Sequence, residues 1–303
     1  MAKRSLKIAV VVKRTTYRKF IVEEHDPLMT RLIKKHDPTV VRLKQSHEAH
    51  EQTMREVDHA ITKLGAEIVF RDGPRKHIPA RIDLVVTVGG DGTLLAAQHQ
   101  VSAKVPVLGV NSAPESSVGF FCGAKKGSVL TTLARALDGT LARTELTRMR
   151  VELNGKCLHG RVLNEALICH ESPAATSRYI VQVTRANGAA AEEDQRSSGM
   201  WIGPAAGSTA AQRSAGGRVL PLTSRRIQYV VREPYTPAGG RLRFARGLLD
   251  EDGYLTLRNK MHDARVFLDG HRIVYAITTG DVLVMRRGDD PVTVLGIAAK
   301  RRV

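Results

Sequence analysis

Short apolar runs alternate with amphipathic stretches through the first half of the chain. Residues 8–12, Ile-Ala-Val-Val-Val, are unbroken and β-branched, which predicts a buried strand. Met54, Val57, Ile61 and Leu64 recur at helical spacing, and Gly65 stands where a helix C-cap belongs. Residues 67–70 read as a short strand, 83–88 as a second buried strand, 94–98 as the start of a helix and 105–110 as another strand. Ser128, Leu130, Leu133, Ala134 and Leu137 mark a capped helix that stops at Asp138-Gly139. Strand–helix alternation of this kind implies a doubly wound parallel sheet. Residues 13–50 break the pattern. They are polar, with Arg, Lys and His throughout, and read as a long irregular loop leading into a helix.

After residue 145 the period shortens. Residues 149–153 and 156–163 flank Asn154-Gly155, the signature of a hairpin with a type I′ turn. Residues 180–184 lead to Asn187-Gly188, and 266–268 and 271–277 flank Asp269-Gly270. Short strands separated by such turns predict an all-β second domain. Residues 189–198 read as a polar excursion between strands. The fold class expected is α/β plus all-β, with domains at 1–143 and 144–303.

Composition narrows the chemistry. Aromatic residues are only 4 % of the chain, so the cores must be built from aliphatic side chains. The three cysteines, Cys122, Cys157 and Cys169, are odd in number and lack CxxC spacing, which argues against a disulfide framework. No apolar run approaches the length of a membrane span, and the first one is too short for a signal-peptide core. The expected compartment is cytoplasmic, with no membrane partner. The net charge of +17 attracts polyanions, nucleotides and dinucleotides among them. The basic residues are spread along the chain without a recognisable nucleic-acid module, so no specific nucleic-acid partner is expected. The His residues show no HExxH or paired His–carboxylate spacing, so no dedicated metal site is expected.

Three clusters carry candidate chemistry. Gly89-Gly90-Asp91-Gly92-Thr93 joins a strand to a helix. Glycines and free N–H groups at a helix start suit a phosphate, and a carboxylate among them suits proton or metal handling in phosphoryl transfer to an alcohol. The competing reading is a tight turn with a solvated Asp. Residues 203–217 hold Gly207-Ser208-Thr209-Ala210 and Ser214-Ala215-Gly216-Gly217, small residues that fit either a flat ligand or close packing of a helix on a sheet. Asn164-Glu165 interrupts an apolar strand and offers groups that can read a base edge and a ribose diol. The competing reading is a wet strand end. Neither a Walker A loop nor a GxGxxG loop is present.

In this order the clusters resemble the NAD kinase family, over roughly residues 83 to 285. Residues 89–93 resemble its GGDGT motif, and Gly109-Val110-Asn111 with Gly119-Phe120 its Asn-containing segment. Asn164-Glu165 resembles its Asn-Glu pair, and residues 207–217 its GSTA…SAGG segment. The resemblance implies a Rossmann-like N-terminal domain and a β-sandwich-like C-terminal domain. It implies ATP-dependent phosphorylation of the adenosine-ribose 2′-hydroxyl of NAD+ or NADH, with Mg2+ or another divalent cation arriving with ATP, and a homodimer or homotetramer. Asp91 would be catalytic. Gly90, Gly92 and Thr93 would hold phosphates, and Asn164 and Glu165 the dinucleotide. Thr209 and Ser214 would line the adenosine pocket. Asn111, Ser198, Gly207, Ser208, Ala210 and His271 complete the implied binding set.

The chain departs from the family pattern at three points. Ser198-Gly199 stands where most bacterial members have Asp-Gly, Ala211 where a Tyr is usual, and Pro204-Ala205-Ala206 where Thr-Pro-Thr is usual. In these details, and in Ser224-Arg225 and residues 231–234, it resembles the plant-type NADH kinase branch. The alternatives weighed are a lipid or sugar kinase built on the same glycine loop and a non-catalytic nucleotide-binding protein.

Overall fold

The protein is seen in a computed structural model that describes residues 4–74, 76–236 and 240–299. The elements begin with β1 (Lys7–Val12), a π-helical turn (Arg18–Glu23), α1 (Pro27–Lys34), α2 (Val41–Lys63), β2 (Glu67–Asp72) and β3 (Leu84–Gly89). They continue with α3 (Asp91–Gln98), β4 (Val107–Asn111), β5 (Cys122–Lys125), α4 (Val129–Leu137) and β6 (Arg143–Leu146). Next come β7 (Met149–Leu153), β8 (Lys156–Val162), β9 (Ala166–His170), β10 (Ser177–Thr184), β11 (Ala190–Ser197) and β12 (Met200–Pro204). A 3-10 turn (Ala205–Thr209) leads to α5 (Ala211–Ser214), β13 (Ile227–Val231), β14 (Arg246–Leu249) and β15 (Tyr254–Asn259). The last elements are β16 (Ala264–Leu268), β17 (Ile273–Ile277), β18 (Val282–Arg287) and β19 (Val292–Leu295).

Two compact units result. The first holds residues up to Thr144 together with Thr293–Ala298, and the second holds Glu145–Val292. The division expected at 143/144 did not include this return of the chain to the first unit.

The first unit is built on a seven-stranded sheet in the order β2-β1-β3-β4-β19-β6, with β5 beside β4. β1, β3 and β4 are parallel, with Ile8 opposite Leu84 and Val85 opposite Val107. Both faces of these strands are covered, which is why they read as unbroken apolar runs. Ile8, Val10, Leu84, Val86 and Leu108 pack with Val57 and Ile61 of α2 and Val129 and Leu133 of α4. Full burial of each such aliphatic side chain contributes about 1.5–3 kcal/mol. Ala9, Val11 and Val85, which alternate with them, are equally buried. α2 ends as Gly65 required: Gly65 takes φ +67, its N–H donates to Thr62 O, and Ala66 N–H donates to Ile61 O.

Within residues 13–50 the expected helix start is present, at Val41, but the stretch before it is not the loop expected. Asp26 caps α1 by accepting from Met29 N at 2.9 Å, Pro27 follows at the first helical position, and α2 is under way by Val41. The signal lay in Asp26-Pro27 and in the apolar pairs Leu28-Met29 and Leu32-Ile33 four residues apart. The density of charge around them masked it.

The second unit packs two six-stranded sheets. One runs β11-β10-β15-β18-β7-β8 and the other β14-β13-β12-β9-β16-β17. Val151, Tyr179, Leu257 and Met285 of the first meet Ile168, Met200, Tyr229 and Val266 of the second in one core, a sandwich. The β7–β8 turn has Asn154 and Gly155 at φ +50 and +78, as a type I′ turn requires. Residues 189–198 are corrected from a polar excursion to a strand. β11 pairs antiparallel with β10 over its whole length, and its charged residues mark it as a sheet edge. Asn164 and Glu165 are also corrected. They lie between the end of β8 at Val162 and the start of β9 at Ala166, not within a strand.

Candidate active site

In the first unit three parallel strands end side by side, β1 at Val12, β3 at Gly89 and β4 at Asn111. The strand order reverses between β1 and β3, and the carboxyl ends of strands at such a switch point are where open α/β sheets bind ligands. Gly89 and Gly90 are needed there by their own neighbours. A Cβ on Gly89 would collide with the Thr93 hydroxyl, and one on Gly90 with the Ser117 hydroxyl. Gly92 faces open space. Thr93 is buried and its N–H donates to Gly90 O at 3.0 Å.

Asp91 is the first residue of α3, where the helix dipole favours an anion. Its two oxygens each accept a backbone N–H, from Phe120 at 2.8 Å and from Phe121 at 2.7 Å. The carboxylate is thereby fixed in orientation while each oxygen keeps acceptor capacity. Asn111 braces the loop that supplies these donors. Its Nδ2 donates to Ser117 O at 2.8 Å, and its Oδ1 accepts from Ala113 N at 3.2 Å. Gly119, at φ +63, leaves no room for a Cβ against the Asn111 amide. Burial and the charge of Asp91 push the neighbouring Cys122 thiol up to about 12, so it stays protonated.

In the second unit the turn at 163–165 is held by Asp269. Its carboxylate accepts from Leu163 N at 2.9 Å, Asn164 N at 2.6 Å and Glu165 N at 3.2 Å, and its own N–H donates to Glu165 O at 2.9 Å. Asp269 sits at φ +48 in the Asp-Gly turn after β16. Burial raises it to about 6, against the opposing pull of the three N–H donors and the positive charge of Arg148. Arg148 is fully buried and donates to Asp290 O and Pro291 O. Glu165 is buried too. Desolvation, with the Asp269 charge second, lifts it to about 7. Asn164 Oδ1 and Glu165 Oε2 are buried acceptors without a partner. Native proteins seldom leave two such atoms side by side, and a bound donor would satisfy them.

The small residues at 203–210 serve this turn by steric necessity. A Cβ on Gly203 or Gly207 would collide with the Asn164 carbonyl. Ser208 is fully buried; its hydroxyl donates to Ala205 O at 2.8 Å and accepts from Leu220 N at 2.9 Å. Thr209 and Ala210 are half-buried, and Ser214 is exposed at the end of α5. Ser198 N–H donates to Arg232 O, and Ser198 O accepts from the Arg232 guanidinium. His271 is exposed in its turn, and among the described residues no hydrogen bond joins it to Asn164 or Glu165. Sequence reasoning missed two buried glutamines. Gln212 Nε2 donates to Asn164 O at 3.2 Å, and Gln228 Nε2 donates to Gln212 Oε1 at 3.0 Å. Gln228 Oε1 accepts from Arg218 N at 2.7 Å. Only the fold brings these positions together, so no local signal could have found them.

Residues 9–140 match the model of the ATP-NAD kinase N-terminal domain. A protein described as a probable NADH kinase of Oryza sativa subsp. japonica is 36 % identical over 218 residues, 67 % of each chain. An NADH kinase of Arabidopsis thaliana is 35 % identical over 219 residues, 67 % of this chain and 69 % of that one. The crystal structure of an NAD kinase from Archaeoglobus fulgidus in complex with ATP superposes with a TM-score of 0.65, covering 95 % of this chain and 93 % of that one. At 18 % identity this last likeness concerns the fold alone. Together with the fixed Asp91 and the Asn164–Glu165 turn, these similarities place the chain in the NAD kinase family.

Proposed function

We propose that this protein is an NAD(H) kinase, which transfers the terminal phosphoryl group of ATP to the 2′-hydroxyl of the adenosine ribose of NAD+ or NADH. The observation that carries the reading is Asp91, a carboxylate fixed by two backbone N–H groups at the mouth of a parallel sheet. In the transfer, the bond from the ribose oxygen to the γ-phosphorus forms as the bond to the β-bridging oxygen breaks. ADP leaves, and the hydroxyl proton passes to Asp91. The N–H groups of residues 90–92 at the start of α3, with the Thr93 hydroxyl, hold phosphate oxygens. Asn164 Oδ1 and Glu165 Oε2 accept from ribose hydroxyls or the exocyclic amine of the dinucleotide. A magnesium ion carried by the triphosphate would neutralise charge on the phosphates, with Asp91 as the carboxylate available to it.

The test is a coupled assay of NADP+ or NADPH formation with ATP, Mg2+ and either dinucleotide. Asp91→Asn keeps one acceptor oxygen for the two N–H groups and should still fold and bind dinucleotide, while turnover falls by about two to four orders of magnitude. Turnover close to wild type would remove Asp91 from the chemistry, and no product from wild type would overturn the kinase reading. With Ser198 and Ala211 in place of the usual acid and aromatic residue, the expected initial rate is higher on NADH. A higher rate on NAD+ would withdraw that preference and leave the kinase assignment standing.

A further inference from the structure

The second unit contains a cavity that the proposed reaction does not use. It opens where the β10–β11 hairpin ends beside β13 and β14, with a volume of about 600 Å3, within the range of small-ligand sites. Its walls combine two kinds of group. Phe244, Leu248 and the β10–β11 alanines are apolar, while Arg185, Arg243 and the Tyr229 hydroxyl bring donors. A Cβ on Gly247 would collide with the Tyr229 ring and hydroxyl, so the absence of a side chain at 247 lets the ring lie across β14. Burial, with the charge of Glu193 second, pushes the Tyr229 phenol up to about 12, and it remains a donor. Thr184, 6 % exposed, lines the same cavity, and its hydroxyl has no partner.

The charge of Glu193 attracts Arg243, but its carboxylate oxygens are occupied by other donors. Glu193 is filled by Arg243 N at 2.8 Å, Phe244 N at 3.1 Å and Gln195 Nε2 at 2.6 Å. Asp250, which also lines the cavity, is engaged by Arg226 at 3.5 Å. Among the described residues no carboxylate lies within ion-pair distance of either Arg185 or Arg243, and the Arg243 guanidinium rests over the Phe244 ring, 5.0 Å from its centroid. We propose that this cavity is a second binding site, for a small aromatic anion. Its ring lies against Leu248 and the β10–β11 alanines, and its phosphate or carboxylate takes the two guanidiniums. A guanidinium fork suits both headgroups, and the flanking apolar surface selects a flat body over a bare ion.

The test is titration of the full chain with 4-fluorophenyl phosphate, followed by fluorine NMR. Saturable binding is expected, weakened by at least about tenfold in the Arg185→Ala/Arg243→Ala double variant, since the charge-assisted hydrogen bonds to the headgroup are lost. Both arginines are exposed, so the double variant should fold, and the near-isosteric Thr184→Val should weaken binding by a smaller factor without lowering thermal stability. 4-Fluorobenzoate should compete, while inorganic phosphate and benzyl alcohol should not. Phosphate held by the glycine loop of the first unit would persist unchanged in the double variant, so the signal is the difference between the two proteins. Equal affinity in wild type and the double variant, or full competition by inorganic phosphate, would overturn the proposal.

Discussion

Glu165 bears a cost of folding that its ligand would remove. Its carboxyl is raised from 4.5 to about 7, so between those pH values the folded chain holds a proton that the unfolded chain has lost. The stability from this protonation is complete below pH 4.5 and is lost as pH rises through about 7. Asp269, raised to about 6, acts in the same direction. Glu165→Gln should therefore flatten the fall in unliganded stability across this range. At pH 8 it should be more stable than wild type by on the order of 2 kcal/mol, yet bind dinucleotide more weakly. Thermal unfolding at a series of pH values and calorimetric titration would show both effects, and parallel stability curves would exclude a titrating Glu165. Gly207→Ala makes the complementary point. With the Asn164 carbonyl in the way, the added methyl should cost about 1–3 kcal/mol and disturb the dinucleotide site while leaving the first unit intact.

Among the elements, the hairpins were the most legible. Asn154-Gly155 and Asp269-Gly270 each sit between apolar runs, and the turn they demand has positive φ that few other residues accept. The buried parallel strands were legible because both faces are covered. α1 was missed because charged residues crowd the segments on either side of it, and β11 because an edge strand is polar on the side it shows to water. The Asn164–Glu165 turn was recognised as chemistry but misplaced as strand, since its shape is imposed from Asp269, more than a hundred residues away. This gives a test at the level of the turn. Asp269→Asn retains one acceptor oxygen for three N–H donors and should raise KM for the dinucleotide by about tenfold, with a smaller effect on kcat. His271→Ala, two positions along the same turn and exposed, should change neither. Equal effects of the two substitutions would mean that the Asp-Gly-His turn acts as a whole rather than through its carboxylate.

At the scale of the whole molecule, each unit has its own core, yet the first is not a continuous segment. β19 pairs with β4 through Val294 opposite Val107, Gly296 N–H donates to Ala142 O, and the Thr144 hydroxyl donates to Ile297 O. Val292, Val294 and Leu295 are buried. A chain truncated after Asp290 should lose several kcal/mol of first-unit stability, since each of these side chains contributes about 1.5–3 kcal/mol. Thermal unfolding would then show the first unit melting earlier or failing to fold. An unchanged transition would mean that the sheet closes without β19.

The return of β19 also sets a timetable for biosynthesis. The interior place between β4 and β6 is filled by residues that leave the ribosome roughly 150 positions after β6, a delay of about 8–30 s at 5–20 residues per second. During that interval the sandwich of the later-encoded unit can close completely, while the sheet that carries Asp91 waits with a strand missing. The segment translated first is thus the one finished last, and a nascent chain stalled before Val292 would present the open edges of β4 and β6 to chaperones.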